Sequence, residues 1–161
     1  MPALRQIVFN VLCKDIPASA EFYSRLAGFT PIEESSWRVV LAQPGSDAAV
    51  LALVDQVSEF APRHAWGTHN GEYLTLIVED IFATLQTAAD MDIELIEEPV
   101  SLDTGMTRAL IRDPNGLVIE IATPTDVLAA RDDVEFEVSP KTTAIDQQQP
   151  EERGRRPSVT P

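Results

Sequence analysis

The sequence predicts an α+β fold in which two βαβββ modules form paired, partly open sheets around a shared cleft, with the helices outside. Three observations favour this fold. A strand, a helix and three further extended runs occur in the same order twice, the second copy starting about 65 residues after the first. An aspartate precedes each helix. The chain has 161 residues, which suits one domain or two small modules with a common core.

Module one is predicted to span residues 4–55. It begins with a strand over residues 5–13, after which Asp15 caps a helix that has Pro17 in its first turn and ends at Gly28. Phe22, Leu26 and Phe29 follow helical spacing and form a buried stripe. Three extended runs follow, at residues 31–35, 38–42 and 49–54.

Module two is predicted to span residues 72–124, after a linker at 56–71. Its strand covers 73–78, and Asp80 is the counterpart of Asp15 at the start of the second helix. The buried stripe of that helix is predicted to consist of Phe82, Leu85 and Ala89, and the last three strands to cover residues 94–97, 107–112 and 117–122.

A turn motif joins the last two predicted strands. Residues 113–116 read Asp-Pro-Asn-Gly, in which Pro114 fixes φ and Gly116 accepts left-handed dihedral angles, so the unit is predicted to be a hairpin. Glu120 lies in the second strand of this hairpin, on the same face as Val118 and Ala122. A carboxylate in an apolar strand is costly to bury without a partner, so Glu120 either faces a ligand or is solvated.

The last part of the chain changes in composition. Residues 125–161 contain acidic and polar runs and few large apolar side chains after Phe136. Such a segment does not bury enough apolar surface to offset its ordering entropy, which predicts a disordered acidic and polar tail. A short helix over residues 125–131 is an expected extension of the body.

The formal net charge is −14, which disfavours nucleic acids and anionic membranes and favours cationic or neutral partners; simple solubility is the alternative explanation. The single cysteine, Cys13, cannot form an internal disulfide and is predicted to be a buried, inert side chain in a reducing compartment. No apolar run reaches the roughly 18 residues of a membrane span, and no signal peptide is evident, so we expect a cytoplasmic protein.

Several motifs together resemble the vicinal oxygen chelate superfamily, which contains glyoxalase I, extradiol dioxygenases and bleomycin-resistance proteins. The resemblance covers residues 4–124 and depends on the order of the motifs together with the duplication. The motifs are DIPASAEFY at 15–23, LAGF at 26–29 and RDPNG at 112–116, the last followed by Glu120.

The resemblance implies where a metal ion would be held in metal-dependent members. They place a His upstream of each helix-capping Asp, a further ligand on the last strand of module one, and a Glu after the hairpin turn. Here those positions hold Val8 and Tyr73, residues 50–54 contain no His, Glu or Gln, and only Glu120 remains. Because catalytic ions generally need about three protein ligands, we predict no metal and no cofactor.

The resemblance also places one face of each first strand in the cleft. The candidate ligand-binding residues are Asn10, Tyr73, Thr75, Arg108 and Glu120. Alternatively, Tyr73 and Glu120 satisfy each other in a core. Arg108 and its counterpart Arg38 pair with acids across the cleft, bind an anionic ligand, or carry ordinary surface charge. The two histidines, His64 and His69, lie in the linker and are expected to be exposed.

These residues favour a metal-free small-molecule-binding protein that holds or sequesters an organic ligand in the cleft. We expect it to form a homodimer, because open sheets leave edges that need covering. One alternative is a glyoxalase-like lyase, isomerase or dioxygenase that uses Glu120 with a metal or as a general base. A second alternative is a regulatory module that acts through its tail.

Overall fold

A computed structural model of the protein describes residues 3–67 and 71–131. The strands are β1 Phe9–Cys13, β2 Thr30–Glu34, β3 Arg38–Ala42, β4 Ala49–Asp55, β5 Leu74–Ile77, β6 Leu95–Ser101, β7 Met106–Arg112 and β8 Val118–Pro124. The helices are α1 Ile16–Ala27, α2 Ile81–Asp90 and α3 Thr125–Ala129, and a 3₁₀ turn covers Arg63–Ala65.

The strands form two four-stranded sheets with the same topology. Their orders are β1-β4-β3-β2 and β5-β8-β7-β6. In each sheet the first strand pairs with the last in parallel, and the other pairs are antiparallel. Parallel strands need a crossover connection, and in each module the helix is the first element of that connection. The predicted α+β fold with two βαβββ modules is confirmed.

Local sequence signals determine where α1 begins and ends. The Asp15 carboxylate accepts a hydrogen bond from the Ala18 amide at 3.0 Å, and Pro17 lies in the first turn. Gly28 ends the helix with φ of 71°, a conformation that favours glycine. The predicted stripe of Phe22, Leu26 and Phe29 is buried, as expected from its helical spacing.

The second helix is capped as predicted, but its buried stripe is different. The Asp80 carboxylate accepts from two amides of the first turn of α2. Ile81 and Ala88 are fully or almost fully buried, with Leu85 partly buried between them, whereas Ala89 is exposed. The prediction of Ala89 in the stripe was wrong, because positions 81, 85 and 88 already follow the i, i+4, i+7 spacing of one helix face.

One hydrophobic core joins the two modules and includes α3. Buried side chains of both sheets and both long helices form a single cluster, to which Leu128 of α3 belongs with 0% exposure. The short helix predicted after the last strand is therefore present, and residues 125–131 pack as part of the body. Residues 132–161, the rest of the predicted tail, lie outside the described residues. No helix of the described part is long and apolar enough to cross a bilayer.

An ion pair holds the last described residue of the body. Arg131 contacts the Asp80 carboxylate at 2.5 Å, at the start of α2. Burial works against the charge on Asp80, but the bond from Arg131 and the amide bonds of α2 outweigh it and lower the pKa of Asp80. Arg131 is thereby held beside the first turn of α2.

The hairpin turn at residues 113–116 connects module two to α1. The Asp113 amide donates to the Leu117 carbonyl at 2.9 Å, and Gly116 has φ of 87°, so the predicted turn is confirmed. The Asp113 side chain is only 4% exposed, and one of its carboxyl oxygens accepts from the Asn115 and Leu117 amides at 2.8 and 2.9 Å. The other oxygen accepts from the Tyr23 hydroxyl of α1 at 2.8 Å.

The polar contacts around this turn extend to β1. The Asn115 side-chain amide donates to Ser19 at 3.0 Å and also contacts the Asp113 carboxyl and the Cys13 sulfur. Burial and the neighbouring Asp113 charge raise the pKa of Tyr23, so it donates as a neutral phenol. Burial raises the pKa of Cys13, which is fully buried as predicted. These polar groups link two modules that are distant in sequence.

Candidate functional site

Each sheet has one face that packs in the core and one open face. In β1, Val11 and Cys13 are fully buried, whereas Asn10 is exposed and Leu12 is intermediate. Because side chains alternate along a strand and cross-strand partners share a face, the registers define both open faces. The open face of module one carries Asn10, Leu12, Arg38, Val40, Ala52 and Val54, of which the last three are themselves buried. The open face of module two carries Thr75, Ile77, Arg108, Leu110, Glu120 and Ala122.

A charged cluster occupies the open face of module two. One Glu120 oxygen accepts from the Thr75 hydroxyl at 3.0 Å, and the other accepts from Arg108 at 3.2 Å. Arg108 also contacts Glu97 at 3.6 Å. Glu120 keeps 13% side-chain exposure and Arg108 24%, so the cluster is partly shielded and still reachable. We call Thr75, Glu97, Arg108 and Glu120 the Glu120 cluster.

The Glu120 cluster is negatively charged and retains hydrogen-bonding capacity. It contains two carboxylates and one guanidinium, so its formal charge is −1 when both acids are ionised. Each carboxylate oxygen can accept a second hydrogen bond. The Arg108 Nε is buried and has no acceptor among the described residues. The cluster can therefore bind a cationic or hydrogen-bonding group from the open side.

Module one carries the same arginine without the central acid. Arg38 pairs with Val54 in the register of its sheet, as Arg108 pairs with Ala122, so the two arginines are equivalent. Arg38 contacts Glu33 at 3.2 Å. Both arginines thus contact acids of their own sheet. The Asn10–Ala52 pair of module one is equivalent to the Thr75–Glu120 pair of module two. Module one therefore has an alanine where module two has the central acid.

The structure groups three of the predicted site residues and leaves two apart. Thr75, Arg108 and Glu120 are in direct contact. Tyr73, immediately before β5, is 58% exposed. Asn10 lies on the other module, where its side chain donates to the Val8 carbonyl at 3.4 Å. The contacts of Glu120 are thus with a hydroxyl and a guanidinium, the side chains beside it in the sheet.

The linker places its aromatic and basic side chains at the surface. His64 lies in the 3₁₀ turn and is exposed, as expected. Trp66 follows it with 52% exposure, and the Arg63 guanidinium lies 6.0 Å from its ring centre. His69 lies outside the described residues.

Comparison with known proteins identifies the family of this chain. The family model described as the Glyoxalase/Bleomycin resistance protein/Dioxygenase superfamily matches residues 5–121. The chain belongs to this superfamily. No curated protein sequence gives a significant match.

Solved structures of other proteins share the fold. A virulence protein from Salmonella typhimurium is 27% identical, with a TM-score of 0.57 over 76% of this chain and 98% of its own. A glyoxalase-related enzyme from Fulvimarina pelagi is 19% identical, with a TM-score of 0.61 over 74% and 88%. A family enzyme from Burkholderia phytofirmans is also 19% identical, with a TM-score of 0.60 over 73% and 96%.

The described side chains do not fit the metal ion that some members of the superfamily hold. No three His, Cys, Asp or Glu side chains come together within residues 3–67 and 71–131. In module one, the position equivalent to Glu120 holds Ala52. The two positions where the resemblance implies a histidine hold Val8 and Tyr73. Glu120 itself is engaged by a hydroxyl and a guanidinium. Since an ion needs about three donors at one point, we derive no chemical step through a metal.

Sequence reasoning missed two contributors to the open faces. Glu97 on β6 pairs with Leu110 in the register of the sheet. The alternation of side chains along β6 was the only local signal that Glu97 lies on the open face. Phe60 of the linker contacts Trp37 with ring centres 5.2 Å apart. A loop residue has no periodicity, so no sequence pattern indicated that contact.

Proposed function

We propose that this superfamily member binds a small organic molecule on the open face of module two without a metal ion. The observation that carries the proposal is the Glu120 cluster, a partly shielded set of charges on an otherwise mainly apolar face. A few polar groups among apolar walls are typical of ligand pockets. The activity is sequestration or carriage of the ligand, with Glu120 fixing its orientation.

The surroundings of Glu120 favour a cationic or hydrogen-bond-donating ligand. Ile77, Leu110 and Ala122 lie on the same face as the cluster and give it apolar surroundings. The formal net charge of −14 attracts cations over distances set by ionic strength. Because Thr75 and Arg108 already hold both carboxylate oxygens in place, the acid is preorganised for a bound partner.

A second copy of the chain is proposed to complete the cleft in a cytoplasmic homodimer. β1 and β5 are edge strands, each hydrogen-bonded to a neighbour on one side. Ile7, Tyr73 and Ile77 lie at or beside these edges with 74%, 58% and 69% exposure. Burying such residues against a partner removes apolar surface from water and covers the strand edges.

A thermal-shift screen tests the proposed function. Chelator-treated wild-type protein is screened with small amines and neutral donors, and compounds that raise Tm are retested on Glu120→Gln. At a ligand concentration of 100 Kd the stabilisation is about 2.7 kcal/mol, which raises Tm by several degrees. We expect Glu120→Gln to weaken binding about tenfold or more, because it loses a charge-assisted hydrogen bond.

Glu98→Gln is the matched control for this screen. Glu98 is an exposed acid beside Glu97 on β6. Its loss changes the net charge by the same amount, so we expect the shift to persist in this variant. The proposal fails if no compound stabilises the wild type, or if Glu120→Gln responds to the compounds as Glu98→Gln does.

A further inference from the structure

A pocket lies on the open face of module one, beneath the linker. It has a volume of about 280 Å³ and lies between β1, β3, β4 and the chain that follows β4. Its walls include Leu12, Trp37, Arg38, Val54, Phe60 and Pro62. The Glu120 cluster contributes no side chain to it. This volume suits one or two fused rings and is too small for a drug-sized ligand.

Two aromatic rings form one wall of this pocket. The Trp37 and Phe60 ring centres are 5.2 Å apart at 40°. Phe60 remains 62% exposed, although a large apolar side chain gains free energy by being covered. Leu12 and Val54 provide apolar surface on the sheet. A planar apolar group placed against this wall would bury surface that the described residues leave open.

Arg38 provides the polar end of the pocket. Its guanidinium carbon lies 5.7 Å from the Trp37 ring centre, and a terminal nitrogen contacts Glu33 at 3.2 Å. Its Nε is buried and has no acceptor among the described residues. The Arg38 side chain as a whole keeps 34% exposure, so its guanidinium can donate to an oxygen supplied by a ligand.

We propose that this pocket binds a planar aromatic group that carries an oxygen acceptor. The ring packs against Trp37 and Phe60, and the oxygen accepts from the Arg38 guanidinium. The positive guanidinium disfavours a cationic ring at this point and favours a carbonyl or carboxylate oxygen. The inference rests on the proposed function, in which the open faces hold small molecules. It adds a separate aromatic site to which Glu120 does not contribute.

Calorimetric titrations with coumarin and indole test this site. Both probes are planar and bicyclic, but coumarin carries a carbonyl acceptor, whereas indole offers an N–H donor and no oxygen. We expect coumarin to bind the wild type at least about fivefold more tightly than indole, the factor that one net hydrogen bond supplies. Equal affinities, or tighter binding of indole, would overturn the proposal.

Three variants assign the binding to the pocket. Phe60→Ala should weaken both probes about fivefold or more, because it removes half of the aromatic wall. Trp66→Ala removes another exposed aromatic residue of the linker that does not line the pocket, and it should bind both probes as the wild type does. Arg38→Met keeps the aliphatic stem and should abolish the preference for coumarin. Unchanged binding in Phe60→Ala, or an unchanged preference in Arg38→Met, contradicts the assignment.

Glu120→Gln separates this inference from the proposed function. Since the Glu120 cluster lies on the other module, this variant should bind coumarin with wild-type affinity. Loss of coumarin binding in Glu120→Gln would overturn the independent aromatic site. Circular dichroism of each variant distinguishes a lost contact from a lost fold.

Discussion

Asp113→Ala is expected to lower the free energy of unfolding by about 3 kcal/mol, a large fraction of the stability of a domain of this size. The Asp113 carboxyl accepts from the Tyr23 hydroxyl and from the Asn115 and Leu117 amides. Tyr23 and Leu117 are fully buried, so the alanine leaves their donors without an acceptor and without water. Urea denaturation followed by circular dichroism measures the effect.

Asp47→Ala is the matched control for this prediction. Asp47 follows the Pro44–Gly45 turn between β3 and β4, the counterpart in module one of the hairpin turn in module two, and it is exposed. We expect this variant to stay within about 0.5 kcal/mol of the wild type. If the two alanine variants were equally stable, the hydrogen bonds from α1 to the module-two turn would add nothing to the stability of the joined modules.

Arg108→Met is expected to destabilise the protein by about 1–2 kcal/mol at neutral pH. Arg108 is the cation shared by Glu97 and Glu120, and methionine removes its charge while keeping an apolar stem. The two partly shielded carboxylates then repel each other without a counter-ion. The side chains keep 13–24% exposure, so solvent screening limits the loss. The midpoint of urea unfolding measures the effect.

Arg38→Met is the matched control, because Arg38 has one acidic partner whereas Arg108 has two. Arg38 is equivalent in register, but its partner Glu33 is 63% exposed and no second acid faces it at the place of Ala52. We expect a loss of about 0.5 kcal/mol or less. Adding Glu120→Gln to Arg108→Met should restore part of the stability, because it removes one of the repelling charges. An Arg108→Met variant as stable as Arg38→Met would contradict the electrostatic account of the cluster.

The elements that the sequence predicted are those with local signals. Asp15 and Asp80 cap helices through amides two or three residues away, and the turn at residues 113–116 is determined by its own dihedral preferences. Strand alternation put Glu120 on one face with Val118 and Ala122, and the resemblance to the superfamily placed that face and Thr75 in one cleft. For these elements, interactions within a few residues determine the conformation.

The contacts that the sequence did not predict are long-range. Tyr23 lies next to Phe22 of the apolar stripe of α1, and its hydroxyl donates to Asp113, 90 residues away in sequence. Glu97 and Glu120 meet at Arg108 from two different strands. No spacing rule connects such residues, since their proximity depends on the register of the sheets and on the packing of one module against the other.

A calorimetric titration of chelator-treated protein tests the central claim most directly. The most strongly stabilising compound from the thermal-shift screen is titrated into wild-type protein, first without metal and then with one equivalent of Zn²⁺. The Glu120 cluster needs no ion to hold its carboxylate in place, so we predict the same Kd in both titrations. Binding that appears only with Zn²⁺, or tightens tenfold with it, would contradict a metal-free binding protein.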